Sequence, residues 1–212
     1  AQFRAGYESD RWRLIVRERD TGVQRDLTDA LDRSVSSFVW SPDSSRLFYT
    51  TEDRARQTVS MISVKGGASR IIVQGAGYVD DVQFTPDSKL MVYSETTSSK
   101  PTELYKVFST GGAPEALTRI NEDRLRPYDL KPAEDFFVTS FDQAKVHSLM
   151  IKPPGFQENR KYPMLLLIHG GPQGAWGHNW SYRWNAQVFA NAGFVVVMPN
   201  PRGSTGYGTQ FT

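Results

Sequence analysis

The chain repeats itself. Trp40-Ser41-Pro42-Asp43-Ser44 returns 44 residues later as Phe84-Thr85-Pro86-Asp87-Ser88, and Tyr49-Thr50 returns at the same offset as Tyr93-Ser94. Gly66-Gly67 returns as Gly111-Gly112 after 45 residues, and Leu27-Thr28 returns as Leu117-Thr118 after 90, twice that period. A third, weaker copy reads Leu130-Lys131-Pro132, then Phe137-Val138-Thr139-Ser140. Each copy has the form strand, Ser/Thr-Pro-Asp turn, strand, loop, strand, Gly-Gly turn, strand. Proline presets φ for the first central position of a turn and Asp bonds its own backbone, so the tripeptide makes a tight corner. Strands are expected at 13–17, 47–50, 59–64, 91–94 and 104–108. Periods near 45 with several short strands per copy mark β-propeller blades. The rival is a β-sandwich with coincidental self-similarity. A propeller closes with about four to eight blades, so two or three copies amount to the last blades of one.

The repeat fades where the composition changes. Residues 146–212 hold five basic side chains (Lys152, Arg160, Lys161, Arg183, Arg202) against one acid, Glu158, and no Asp, whereas the preceding 145 hold 20 basic and 22 acidic. A domain boundary is therefore expected at 145/146, inside a polar, turn-rich seam over 121–160. The net charge of +2 gives no case for nucleic acid, and the absence of cysteine excludes disulfides, thiolate catalysis and cysteine metal sites. The longest apolar run has five residues, far short of the roughly 18 of a membrane helix. The amino end, AQFRAGYESDRWR, has neither an initiator Met nor a signal-peptide profile, and reads as the interior of a longer protein.

Beyond the seam, two solid apolar runs at 164–168 and 194–198 look like strands buried on both faces of a parallel sheet. Between them Trp176, Trp180, Trp184 and Val188 stand four apart, as along one side of a helix. Ser181 reads as a helix N-cap, and Gly193 is placed to end the helix in a left-handed conformation. The expected unit is strand, glycine-rich loop, helix, strand. The loop, His169-Gly170-Gly171-Pro172, leaves the carboxyl end of the first strand, the edge at which open α/β sheets bind ligands. Adjacent glycines let bare backbone N–H groups approach a ligand, as an acyl-transfer enzyme needs for the oxygen that turns negative. A plain tight turn is the rival reading.

A second loop, Asn200-Pro201-Arg202-Gly203-Ser204-Thr205-Gly206-Tyr207-Gly208, follows the next strand at the same edge. With HGGPQGAWG and SYRWNAQVFA, it makes residues 162–212 resemble the hydrolase domain of the prolyl oligopeptidase family of serine peptidases, nearest its dipeptidyl-peptidase V and acylaminoacyl-peptidase branch. The resemblance implies the last blades of an amino-terminal β-propeller over 1–145, which filters substrates, and the amino-terminal part of an α/β-hydrolase domain over 146–212. It implies a serine exopeptidase that releases dipeptides or acylated amino acids from short peptides through an acyl-enzyme, with no cofactor or metal. It gives the backbone N–H of Gly171 as an oxyanion donor, with Gly170 shaping the turn and His169 packing or hydrogen-bonding beneath the loop, acid–base chemistry being its rival role. Arg202 is a candidate to hold a substrate carbonyl or carboxylate, or else an ion pair fixing its loop. Tyr207 is read as shaping the loop's return and as a candidate to edge the pocket, and Trp176 as core, like Trp180 and Trp184, or else as lining the substrate site.

The nucleophile elbow, acid and histidine of this fold come in that chain order. Only Ser181 and Ser204 follow His169; Ser204 nearly scans as an elbow but follows the wrong strand. The triad is expected downstream, in the remainder of the hydrolase domain, which would be this chain's partner along with the rest of the propeller; the chain alone is expected to be inactive. Assembly into a homo-oligomer is left open, and the resemblance leans toward a periplasmic or secreted enzyme. The alternatives are an esterase on the same fold and a non-catalytic propeller binding module. His147, His169 and His178 have no metal-ligand spacing, and Gly170-Gly171-Pro172-Gln173-Gly174 lacks the Lys-Ser/Thr of a phosphate loop.

Overall fold

The computed structural model describes every residue except Ala5 and Pro172. A hairpin of β1 (Ile15–Arg17) and β2 (Gln24–Asp26) comes first. Two four-stranded antiparallel meanders follow. One is β3 (Val35–Trp40), β4 (Arg46–Asp53), β5 (Arg56–Ser63) and β6 (Arg70–Gln74); the other is β7 (Tyr78–Phe84), β8 (Leu90–Thr97), β9 (Lys100–Phe108) and β10 (Glu115–Ala116).

The sequence repeat is a repeat of hydrogen bonds. Ser41 Oγ meets Asp43 Oδ1 at 2.5 Å and accepts from Arg46 N–H at 3.0 Å; Thr85 Oγ1 meets Asp87 Oδ1 at 2.6 Å and accepts from Leu90 N–H at 3.1 Å. Ser44 and Ser88 both take left-handed φ, +57° and +61°. The pair at offset 90 is also conserved in geometry. Leu14 N–H donates to Thr28 Oγ1 while Leu27 N–H donates to Leu14 O, and Leu104 N–H with Thr118 Oγ1 and Leu117 N–H with Leu104 O reproduce both bonds. The β1–β2 hairpin thus corresponds to β9–β10, the outer strand pair of the second meander.

The two meanders share one core, with Phe48, Val59 and Val73 from the first against Val79, Met91 and Tyr93 from the second. Phe48 and Phe84 meet across it at 4.6 Å between ring centroids. Each such side chain, withdrawn from water, stabilises the fold by about 1.5–3 kcal/mol.

The third sheet is mixed, in the order β11-β12-β14-β13. Its strands are β11 (Glu134–Thr139), β12 (Lys145–Ile151), β13 (Met164–Leu166) and β14 (Val195–Asn200). β13 and β14 are parallel, whereas β14–β12 and β12–β11 are antiparallel. Only Phe137-Val138-Thr139 of the weaker third copy fall in β11, which pairs along its whole length with β12, so this sheet extends upstream to Glu134. A single turn, α1 (Glu122–Leu125), precedes it, and among the described residues no helix is long and apolar enough to cross a membrane.

Three expectations are corrected. The helix before β14 is α2, Ala186–Asn191 only, capped by Asn185, whose side chain accepts from Gln187 N–H at 2.9 Å. Residues 176–185 are not helical because their backbone is bonded elsewhere: Trp176 N–H to Asn200 Oδ1, His178 N–H to Ala55 O and Trp180 N–H to Thr96 Oγ1. Tertiary partners for single amides have overridden a four-residue spacing, and Trp184 and Val188 lie exposed. Ser181 caps no helix; its Oγ accepts from Arg183 and Trp184 N–H in a local turn. Finally, the apolar run over 164–168 is covered on one face only, where Leu167 packs with Leu149, Ile151, Val196 and Ala190, while Met164, Leu166 and Ile168 are open. Gly193 does end α2 as expected, at φ +97° with its N–H on Ala190 O.

Candidate functional site

Leu167 N–H still pairs with Val197 O at 2.8 Å, and there the parallel ladder ends. The chain then turns through His169–Gly174 at the carboxyl rim. Gly171 carries the conformational demand: its φ is +139°, and a Cβ there would stand 2.7 Å from Gln173 N. At Gly170 a Cβ would meet open space, so the turn does not need that glycine for steric room. Among the described residues neither the Gly170 nor the Gly171 N–H has a protein acceptor, and Gly171 is exposed. Pro172, quoted in the same motif, lies outside the described residues.

His169 hydrogen-bonds beneath the loop. Its Nδ1 is 2.9 Å from Gly170 O and its Nε2 is 2.9 Å from Ser204 Oγ. A serine beside an imidazole invites comparison with a nucleophile and its base. Ser204, however, is 0% exposed and its Oγ donates to Pro201 O at 2.6 Å. It ties the two loops together and faces no cleft.

The second loop is braced from several sides. Arg202, the candidate for holding substrate, sends both Nε and Nη2 to Asp142 Oδ2 at 2.9 and 2.6 Å, which fixes its loop to the β11–β12 turn. Tyr207 points inward rather than edging a pocket. Its OH is 2.7 Å from His147 Nδ1 and accepts from Asn200 Nδ2 at 2.8 Å. Trp176 packs against the core beside Leu167, donates Nε1–H to Leu167 O at 2.9 Å, and is held at both backbone groups by the fully buried Asn200 side chain.

Sequence reasoning missed the centre of this bracing. Asp135 Oδ1 accepts from His147 Nε2 at 2.8 Å and His178 Nε2 at 2.9 Å, while Asp135 Oδ2 pairs with Arg56 at 2.7 Å. Burial by itself would raise the Asp135 carboxyl, but the hydrogen bonds from Arg56 and His178 outweigh it and hold the group well below the usual carboxylate range. Burial lowers both imidazoles and raises the Tyr207 phenol. Protonation follows: each neutral imidazole donates Nε2–H to Asp135, so His147 Nδ1 accepts from the Tyr207 hydroxyl. Because both imidazoles aim N–H groups at the carboxylate, this is no metal cage. Among the described residues none is found.

A cleft of about 240 Å³ opens beside this second loop, lined in part by Glu8, Asp32, Arg33, Glu52, Gln173 and Thr205. The arrangement can offer a bare backbone N–H to an anionic oxygen at a sheet rim.

Fold and site together define the class: two antiparallel meanders joined to a mixed sheet whose rim loop presents backbone donors. Residues 180–212 match the prolyl oligopeptidase family. The chain is 37% identical over 97% of its length to a probable dipeptidyl-peptidase 5 of Arthroderma benhamiae, and spans 29% of that relative. Its fold superposes on an acylaminoacyl peptidase of Pyrococcus horikoshii with a TM-score of 0.81 at 24% identity, covering 97% of this chain and 31% of the other. It also superposes on dipeptidyl peptidase 4 of Porphyromonas gingivalis with a TM-score of 0.72 at 21% identity, covering 92% and 28%. Through this segment and these relatives the chain is similar to the prolyl oligopeptidase family of serine peptidases.

Proposed function

We propose that this chain is part of a serine exopeptidase that releases dipeptides or acylated amino acids from short peptides through an acyl-enzyme. The meanders upstream would supply the last blades of a propeller, and the mixed sheet, which starts with β11 at Glu134 and not at 146, the amino-terminal part of the hydrolase domain. The nucleophile, acid and histidine would come from the remainder of that domain. The observation that carries the reading is Gly171: its N–H stands at the carboxyl rim of β13 with no protein acceptor among the described residues. In acyl transfer such a donor stabilises the tetrahedral oxyanion, and losing one lowers kcat about a hundred- to a thousandfold. Arg202 takes the loop-fixing role, since Asp142 engages its fork.

The test is Gly171→Val in the full-length protein, assayed on dipeptidyl and N-acyl-aminoacyl anilides. The reading expects turnover of the folded variant to collapse by that factor, with a fall in melting temperature because a Cβ at φ +139° meets Gln173 N at 2.7 Å. Full turnover in a folded variant would remove Gly171 from the mechanism, and a wild type inert on both reporters would overturn the peptidase reading itself.

A further inference from the structure

The loop that carries Gly171 is anchored from the first meander, through one carboxylate. Glu52 stands near the end of β4, half-buried. Its Oε2 accepts from Thr205 Oγ1 at 2.6 Å, across 153 residues of sequence. Thr205 N–H in turn donates to Gly174 O at 3.1 Å, which pins the far end of the glycine loop. Two residues on, in the β4–β5 turn, Arg54 adds a parallel tie, its N–H donating to Gly206 O at 3.1 Å. The other Glu52 oxygen, Oε1, accepts from the Tyr78 hydroxyl of β7. Burial, then the neighbouring Glu52 charge, keeps that phenol protonated and hence a donor. The Tyr78 ring lies against Gly177, where any Cβ would collide with it. One side chain therefore joins the first meander, the second meander and the loop behind the rim.

We propose that Glu52 is a positioning residue: by holding Thr205 it sets where the Gly171 N–H points. This rests on the reading of Gly171 as an oxyanion donor. A donor is effective only when fixed in advance at the place where charge develops, and small displacements of such groups cost rate more than binding. Thr205 transmits the constraint with two bonds of different origin, hydroxyl to Glu52 and amide to Gly174. Loss of the first lets the second swing.

The experiment uses the full-length protein with Glu52→Ala, Thr205→Val, both together, and Glu52→Gln. Steady-state rates on the two anilide classes are read beside amide hydrogen exchange over residues 169–175. Each single removal is expected to lower kcat about tenfold, less than losing the donor outright because the N–H is displaced and not removed, with KM within about twofold. The double variant should be no slower than either single, because both break the same bond. Glu52→Gln retains an acceptor oxygen and should recover most of the rate. Exchange over 169–175 should rise in the Ala and Val variants and not in Gln. Unchanged kcat, or a loss that tracks the melting temperature and is not rescued by Gln, overturns the proposal. Should the wild type turn over neither reporter, the peptidase reading fails separately and exchange decides: faster exchange in Glu52→Ala upholds the anchoring of the loop, and unaltered exchange overturns it.

Discussion

Asp135 shows how much a single side chain can join. Its carboxylate takes two buried imidazole N–H groups and a guanidinium at once, from β12, from the 176–185 segment and from β5 of the first meander. Asp135→Ala would leave His147 and His178, both almost wholly buried, with unpaired donors. An unsatisfied buried donor costs about 1–3 kcal/mol. The expected outcome is a fall in melting temperature of several degrees, at about 2–4 °C per kcal/mol for a domain near this size. Arg56→Ala removes the half-buried end of the same set and should cost less. A scan in which Arg56→Ala is the more damaging would show that the imidazoles are satisfied by other groups. Arg202 is instructive beside this. From sequence its fork was open to substrate or to an ion pair, and the choice was not legible because Asp142 lies 60 residues upstream. A still longer separation, 153 residues, hid Glu52 from Thr205, while Gly171 was legible because its demand is local.

Among the elements, those fixed by short-range chemistry were the readable ones. The Ser/Thr-Pro-Asp corners recur because one hydroxyl and one carboxylate satisfy the turn wherever it is placed. The 176–188 segment was misread because spacing records which residues could share a helix face, and says nothing of amides claimed by Ala55 O, Asn200 and Thr96. That claimed segment, β11 and β12 converge on the histidine pair, which makes their junction sensitive to acid. Around His147 stand Asp135, Tyr207, Arg54 and Arg56, with Phe137 stacked at 4.7 Å; around His178 stand Asp135, Arg56 and His147. The folded pKa of each imidazole is depressed by burial. The unfolded chain therefore binds protons from about pH 6.5 downward that the folded chain refuses. Stability is full above that value and is lost as pH falls below it, by at most about 1.4 kcal/mol per pH unit for each imidazole. Melting temperature should drop between pH 7 and pH 5, and His178→Gln should flatten the drop. A profile equally steep in the variant would place the proton uptake elsewhere.

At the level of the whole molecule, the mixed sheet is finished on one face and open on the other. Leu149, Ile151, Val196 and Met198 lie under α2. On the reverse, Met164, Leu166 and Ile168 alternate outward, 62%, 46% and 70% exposed, and β13 is the last strand of the sheet. An apolar strand at a free edge pairs with whatever it meets, and exposed apolar surface of this kind marks an interface. The chain spans 29% of the length of the relative it matches, so the same face has opposite expected behaviour in two settings. Expressed by itself, 1–212 should bind a hydrophobic dye and self-associate, and Met164→Lys with Ile168→Lys should suppress both, as read by fluorescence and sedimentation. In a protein of the relatives' length, on the proposed reading, the same pair should lower the melting temperature, because the lysines would lie where further strands and helices would cover β13. Equal effects in both settings, or no effect in the longer protein, would mean that this face stays in water throughout. The propeller reading then loses nothing, since its repeats stand on their own hydrogen bonds. The hydrolase reading would lose the sheet it needs to build on.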